Sequence, residues 1–322
     1  MPSFDHEELP VETPEQEETH KPSFAYKVKS ELCRTLTQHH CCARAEAYGV
    51  LLYCNTFTPT EVRIITENPE FAARLPRLFR RAFDLKFDRL PEDATKGKLI
   101  FQITDSEKLE KIISQLGYDA RQNMVLHVNF GILEEDCCRM SFLRGAFLSG
   151  GSMTDPEKRY HLELVTSHAQ ANREMATLLE EMDFTPRIVK RGGSSVIYFK
   201  QSEHIENFLT TIGAPGAAVE IMTTKLDKEI RNDANRAMNC DMANVNKTVE
   251  AAQEQADAIT ILADAGKLEG LPEKLQETAL LRLQNPELSL GQIAEKCTPP
   301  VSKSCINHRM RKIMEIARNL DQ

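Results

Sequence analysis

The clearest hydrophobic pattern in the chain is a helical stripe near its C-terminal end. Ile306, Met310, Ile313 and Ala317 recur at i, i+4, i+7 and i+11, which is the spacing of one buried face of an α-helix. Ser302 is well placed to cap this helix, because its hydroxyl can accept from a free backbone N–H one turn further on. The pattern therefore predicts a helix that begins just after Ser302 and buries one side.

A shorter helix is predicted directly before it. Ser289 is a favourable N-cap, and Pro299-Pro300 ends the helix because proline cannot continue it. Two helices joined by a tight turn are typical of a helix-turn-helix, in which the N-terminal residues of the second helix contact base edges in the major groove. The pattern favours DNA binding, and the alternative is a capped helical hairpin with an ordinary solvated face.

Seven polar or basic residues of the second helix fall outside its buried stripe. The DNA-contacting residues that we predict are Lys303, Ser304, Asn307, His308, Arg309, Arg311 and Lys312. Asn307 and His308 are the candidates for base edges, since they lie near the N-terminal end and asparagine can pair with adenine. Phosphate contacts are expected from Lys303, Ser304 and Arg309. Arg311 suits either role.

The centre of the chain repeats at a fixed spacing. Three anchors recur 96 residues further on: Cys41-Cys42 as Cys137-Cys138, Gly49 as Gly145, and Leu116-Gly117 as Ile212-Gly213. A constant offset indicates internal duplication, with repeats at about residues 41–118 and 137–214. Glycine inside a helix costs about 1 kcal/mol relative to alanine. We therefore expect Gly49 and Gly145 to lie where two related helices pack closely.

Each repeat shows the same order of predicted elements, αββαββα. In the first repeat we predict helices at 42–53, 68–83 and 106–116, a first strand pair whose second strand is 61–66, and a second strand pair that closes with 98–104. The corresponding elements of the second repeat are predicted at 139–149, 160–166, 168–182, 195–200 and 202–212. The Gly192-Gly193 pair indicates a hairpin turn before the last strand.

The charge of the chain is unevenly distributed. The formal net charge is −8 and 41% of the residues are hydrophobic, which suffices for two domains with real cores. Residues 1–22 carry seven acidic residues against one lysine, and this composition predicts a disordered acidic tail. From Leu271 onward basic residues exceed acidic ones by two. Phosphate binding depends on the electrostatic field near the contacting residues more than on the net charge of the whole chain.

The cysteines indicate reduced thiols rather than a metal site. The nine cysteines form no Cys-x-x-Cys, and the chain shows neither a signal peptide nor a long apolar stretch, so we expect a cytoplasmic protein. His39-His40-Cys41-Cys42 suggests zinc, but adjacent side chains on a helix point about 100° apart and do not converge on one ion. We therefore predict neither a metal nor a cofactor.

Several motifs together resemble the WhiA family of bacterial regulators. They are 142–152, 155–158, 160–163, 235–236, Asn239, 243–244, 246–248, 271–275, 299–304 and 307–309. The similarity covers about residues 24–320, and the chain differs from the family pattern at Cys305, where glycine is common. The resemblance implies a sequence-specific transcription regulator of sporulation and cell division that binds promoter DNA and associates with the nucleoid. The resemblance also implies a partner, because members of the family in some lineages cooperate with a WhiB-type iron–sulfur regulator.

The expected fold class is α+β. A duplicated αββαββα domain, which the resemblance identifies as LAGLIDADG homing-endonuclease-like, is expected at 23–220. An Asn-rich linker is expected at 221–243, and an all-α helix-turn-helix domain at 244–322. The asparagines favour a linker because asparagine is a poor helix former, and contact with the DNA backbone is the alternative.

The resemblance also raises the question of nuclease activity. An active homing endonuclease places one acid at the end of each central helix, where the pair holds divalent cations. Aligning the nine-residue motif with 47–55 and 143–151 places these positions at Cys54 and Gly150, and no Asp or Glu occurs within 48–59 or 140–153. We therefore predict no catalytic residue and no enzyme.

Other hypotheses stay open at this stage. The duplicated domain could be a protein-interaction platform for another regulator or for the division machinery, and an active endonuclease is the third alternative. His161 and Glu163 could pair as base and orienting group, although exposed polar alternation on a strand is commoner. Arginines at 74, 77, 80 and 81 could form a second phosphate-binding stripe, a contact for the acidic tail or an ordinary solvated face.

Overall fold

The computed structural model describes residues 22–37, 39–93, 97–119 and 125–320. The acidic tail predicted at 1–22 therefore lies almost entirely outside the described residues. The chain divides into two compact units, Met1–Leu226 and Asp227–Gln322. None of the described helices has a stretch that is both long and apolar enough to cross a bilayer.

The first unit contains two related repeats, preceded by a helix, α1. The first part comprises α1 (Phe24–Arg34), α2 (His40–Tyr53), β1 (Thr56–Phe57), β2 (Val62–Thr66), α3 (Pro69–Phe83), β3 (Leu99–Ile103) and α4 (Ser106–Gln115). The second comprises α5 (Asp136–Gly150), β4 (Gly151–Met153), β5 (Leu162–Thr166), α6 (Ala169–Glu181), β6 (Arg187–Arg191), β7 (Ser194–Phe199) and α7 (Ser202–Ile212). The α+β class and the duplication are confirmed.

The two sheets are antiparallel but differ in their number of strands. The first has the order β1-β2-β3, and the second has the order β4-β5-β7-β6. In the described part of the first repeat the counterpart of β6 is only a bridge between Arg89 and Gln102, so the full ββαββ order holds for the second repeat alone. The hairpin predicted at Gly192-Gly193 joins β6 to β7.

The close packing of α2 against α5 explains the two helical glycines. A Cβ atom at Gly49 would collide with the backbone carbonyl of Phe142, and one at Gly145 would collide with that of Glu46. Both neighbours are backbone atoms, which cannot move aside as a side chain can. The structure thus confirms that these glycines allow the two central helices to approach each other.

A buried ion cluster lies beside this helix pair. The Glu46 carboxylate is fully buried and accepts from Arg74 Nε at 2.6 Å and Nη2 at 2.8 Å, and from Arg144 Nη1 at 3.2 Å. Arg144 Nε also donates to the Ile212 carbonyl at 2.7 Å. Arg74 therefore faces the interior, and the arginine stripe predicted on α3 is reduced to Arg77, Arg80 and Arg81, which are exposed.

The segment predicted as a linker is helical. Residues 221–243 lie inside α8 (Pro215–Asp264), which is 50 residues long and begins in one unit and ends in the other. Each asparagine costs only a fraction of 1 kcal/mol relative to alanine, and the interspersed Ala, Met, Lys and Glu residues favour the helix. Residues 231–251 are all exposed.

The second unit is helical, as predicted. After α8 come α9 (Glu273–Gln284), α10 (Leu290–Lys296) and α11 (Lys303–Arg318). Its cores contain Ile259, Leu262, Leu271, Leu275, Ala279, Ile293, Ala294, Cys297, Ile306, Met310, Ile313 and Ala317. The predicted stripe of α11 is therefore buried in full.

We predict that Gly145→Ala destabilises the first unit. Alanine is the better helix former by about 1 kcal/mol, but its Cβ would collide with the Glu46 carbonyl, and overpacking of this kind costs about 1–3 kcal/mol or more. Chemical denaturation of the full chain measures the difference. Gly193→Ala is the control, since a Cβ there meets nothing within 4 Å, and it should stay within about 0.5 kcal/mol of the parent. Equal stability of the two variants would contradict the close-packing argument.

Candidate nucleic-acid interface

The helix-turn-helix is fixed at both helix starts by side-chain caps. Ser289 and Gln292 form a capping box on α10, in which the Gln292 amide oxygen accepts from the Ser289 N–H at 2.9 Å. The Ser302 hydroxyl accepts from the Cys305 N–H at 3.2 Å at the start of α11. Both caps predicted from the sequence are confirmed, and each satisfies a backbone group that the helix itself leaves without a partner.

The polar face of α11 contains six of the seven predicted DNA-contacting residues. The exposed residues are Lys303, Ser304, Asn307, His308, Arg311 and Lys312. They lie opposite the buried stripe and in the N-terminal two-thirds of the helix. Three of the six are basic, and the first acidic residue of α11 is Glu315, one turn beyond Arg311. The arrangement offers hydrogen-bond donors and positive charge where a recognition helix presents them.

Arg309 is the exception, because its guanidinium faces α9. Its side chain is 12% exposed, and Nη1 lies 3.6 Å from the Glu277 carboxylate. The same nitrogen donates to the Thr278 hydroxyl at 3.2 Å and to the Lys274 carbonyl at 3.3 Å. The assignment of Arg309 to phosphate is corrected on this geometry, since the side chain joins α11 to α9 within the unit.

Sequence patterns missed two residues that hold the motif in position. Glu277 accepts from the Thr298 N–H at 2.9 Å, so the carboxylate that pairs with Arg309 also holds the turn between α10 and α11. Arg282 is 2% exposed and donates to the Leu288 carbonyl at 2.6 Å, just before α10. Burial lowers the pKa of Arg282. No local signal could reveal them, because their partners come from other elements.

The nuclease positions lie at the ends of the two central helices, as the alignment predicts. Cys54 follows the last residue of α2, and its thiol donates towards the carbonyls of Leu51 and Thr56 at 3.2 and 3.1 Å. Burial raises the pKa of Cys54 to about 12, so this group is a neutral thiol at pH 7. A hard divalent cation requires oxygen ligands, which this position does not supply.

Gly150 is the last residue of α5 and has no room for a side chain. A Cβ there would lie 2.5 Å from the Val165 carbonyl oxygen and 3.0 Å from Tyr53. A carboxylate at this position would therefore require the backbone to shift. Neither position supplies the acid that metal-dependent cleavage needs. Cys54 carries a thiol, and Gly150 has no room for a side chain.

His161 and Glu163 do meet on the surface of β5. His161 Nε2 lies 3.3 Å from Glu163 Oε2, and Arg191 Nη1 lies at the same distance from that oxygen. A carboxylate shared with an exposed arginine is typical of a surface ion cluster on a sheet. The pair is thus formed, but Glu163 also has two partners that the sequence did not indicate, Arg191 and the Ser152 hydroxyl, which donates to Oε1 at 3.3 Å.

The structure also brings four cysteines together. The Sγ atoms of Cys41, Cys42, Cys137 and Cys138 all lie within 4.8 Å of one another. The run 39–42 does not converge as a set, since the two histidines stay outside the cluster, but its two cysteines meet the two cysteines of α5. The signal that could have revealed the cluster is the repeat offset itself, which places both pairs at equivalent positions of α2 and α5.

The chain matches known proteins along most of its length. Residues 139–231 match the WhiA LAGLIDADG-like domain, and residues 234–317 match the WhiA C-terminal HTH domain. A relative from Ruminiclostridium cellulolyticum is 37% identical over 92% of this chain and 98% of its own length. One from Carboxydothermus hydrogenoformans is 36% identical with the same coverage. Both carry the name "Probable cell division protein WhiA".

A solved structure supports the same fold. The crystal structure of full-length DUF199/WhiA from Thermatoga maritima is 24% identical in sequence, and the match covers 92% of this chain and 99% of that one with a TM-score of 0.57. The LAGLIDADG-like match falls mainly in the first unit of this chain, and the HTH match falls in the second. From the identity and coverage of its relatives, the chain belongs to the WhiA family.

Proposed function

We propose that the protein is a sequence-specific DNA-binding transcription regulator that acts in cell division and sporulation. The observation that carries the proposal is α11, a capped helix whose apolar stripe is buried and whose opposite face exposes six polar or basic residues. The names of its relatives support the link to cell division. The partner is double-stranded promoter DNA, and the protein is expected on the nucleoid.

The exposed residues divide by their chemistry. Asn307 and His308 are assigned to base edges, because both can form directional hydrogen bonds in the major groove. Lys303 and Ser304 are assigned to phosphate at the start of the helix, and Arg311 to either. Lys312 adds positive charge to the same face. Glu277 and Arg309 hold the turn and α11 against α9, so they position the face without contacting DNA.

A second proposed role concerns the duplicated domain as an interaction platform. β6 lies at the edge of its sheet and all five of its residues are exposed, including Ile188 and Val189. An edge strand offers unpaired backbone N–H and C=O groups to which a partner can add a strand. The partner would be another regulator, such as a WhiB-type iron–sulfur protein, or a component of the division machinery.

We expect Asn307→Ala to weaken binding selectively. Loss of a base-edge contact should cost about 1–3 kcal/mol on the cognate promoter site and little on a scrambled duplex. The site is first located by protection footprinting of promoter DNA, and both duplexes are then titrated. Asn319→Ala, at the far end of the same helix, is the matched control and should bind as the parent does. Unchanged specific affinity of a folded Asn307→Ala protein would show that α11 does not read sequence.

Arg311→Ala and Arg309→Ala should separate DNA binding from stability. Removing the exposed Arg311 should weaken binding to all sequences, reduce the salt slope by about 1 and leave stability within about 0.5 kcal/mol. Removing Arg309 should instead destabilise the second unit by about 1–3 kcal/mol, because it deletes bonds to three partners on α9. Thermal unfolding and titrations at two salt concentrations measure both. If Arg309→Ala instead weakened DNA binding and left stability unchanged, Arg309 would be a DNA-contacting residue.

The protein should show no metal-dependent nuclease activity. Cys54 and Gly150 replace the acids that would hold the cations, and Gly150 lacks space for a side chain. Supercoiled plasmids carrying the footprinted site are incubated with Mg²⁺ or Mn²⁺ and resolved on gels. Specific double-strand cleavage that is abolished by a chelator would establish the enzyme hypothesis instead.

A further inference from the structure

Four thiols converge at the N-terminal ends of the two central helices. Cys41 and Cys42 lie in the first turn of α2, and Cys137 and Cys138 lie in the first turn of α5. Their Sγ atoms are all within 4.8 Å of one another. The thiols form no disulfide in the structure. Among the described residues this is the only group of potential metal ligands of this kind that comes so close together.

The convergence follows from helix geometry and the glycine contact. Cys42 precedes Gly49 by seven residues, and Cys138 precedes Gly145 by seven, so each cysteine lies two turns above its glycine on nearly the same helix face. That face is the one along which α2 and α5 pack. Cys42 and Cys138 are accordingly buried, whereas Cys41 and Cys137 are rotated towards the rim and are half-buried.

We propose that Cys41, Cys42, Cys137 and Cys138 bind one Zn²⁺ ion in a tetrahedral site that clamps α2 to α5. A zinc–sulfur distance of about 2.3 Å separates the sulfurs of a tetrahedral site by about 3.8 Å. The observed spread of up to 4.8 Å therefore needs a closure of no more than about 1 Å, within reach of side-chain rotation. Four sulfur ligands suit Zn²⁺ and disfavour Mg²⁺ and Ca²⁺, which take oxygen ligands.

Electrostatics favours thiolates at this place once a metal is present. The cluster lies in the first turns of α2 and α5, and the positive ends of helices stabilise thiolates. Without metal, burial and the neighbouring Cys41 thiol raise the pKa of Cys138. Binding is a proton exchange, in which Zn²⁺ replaces four thiol protons and forms four Zn–S bonds, and affinity rises with pH.

The ion would have a structural role. All four coordination positions are taken by sulfur, which leaves none for water or substrate. His39 and His40 are exposed and lie outside the cluster, so neither histidine is among the proposed zinc ligands. Because each repeat supplies two of the ligands, the ion would cross-link the two halves of the duplicated domain.

The test uses the full chain purified with reductant and loaded with Zn²⁺. Elemental analysis should find about one zinc per chain, and X-ray absorption should find about four sulfurs at about 2.3 Å. Cys41→Ser/Cys137→Ser, which alters only the half-buried pair, should lower bound zinc at least tenfold. Cys240→Ser/Cys305→Ser removes two thiols outside the cluster and should retain the full amount. A zinc chelator should lower the melting temperature of the parent and of this control, but not that of the cluster variant.

Three results would overturn the proposal. They are a parent protein without bound zinc, a cluster variant that keeps its zinc, and a disulfide within the cluster in the reduced preparation. If the cluster variant does not fold, X-ray absorption of the parent protein alone is the test. A zinc coordination shell with fewer than four sulfurs would then contradict the proposed site. The measurements concern metal content and stability, so they are independent of DNA binding.

Discussion

The contact between α2 and α5 sets the geometry of the whole first unit. At Gly49 and Gly145 the helices meet backbone to backbone, where any side chain would collide with a carbonyl of the other helix. Because the two helices come from equivalent positions of the two repeats, this contact also fixes how the repeats pair. The Glu46 ion cluster adds a polar contact beside it, and both arginines of that cluster also bond to carbonyls of other elements.

The same contact has opposite consequences at its two ends. At the C-terminal end, Gly150 is packed against Tyr53 and the Val165 carbonyl, which leaves no space for the acid of a nuclease. At the N-terminal end, the first helical turns are close enough for two pairs of cysteines to meet. At one end of this helix packing there is no room for an oxygen ligand at Gly150, and at the other end four sulfur atoms meet.

In the second unit, the position of the exposed face of α11 depends on residues outside that face. Glu277 on α9 contacts both the turn at Thr298 and the Arg309 side chain, so one carboxylate relates the turn to α11. Arg282 fixes the loop before α10 in the same way. The apolar stripe of α11 determines which side of the helix is buried, and these contacts hold the six exposed residues in place relative to α9 and α10.

The sequence by itself determined most elements of the duplicated domain, the duplication, the helix caps and the buried stripe of α11, because each depends on residues within a few turns or on a constant repeat offset. The helix over 221–243 is a local feature as well, since its interspersed Ala, Met, Lys and Glu residues favour it, but the density of asparagines pointed to a linker instead. Tertiary structure alone decided that Arg74 and Arg309 point inwards and that the four cysteines meet. The partners of these side chains lie about 30 to 100 positions away in the chain. Local periodicity carries no information on such pairs, because only the packing of whole helices brings them together.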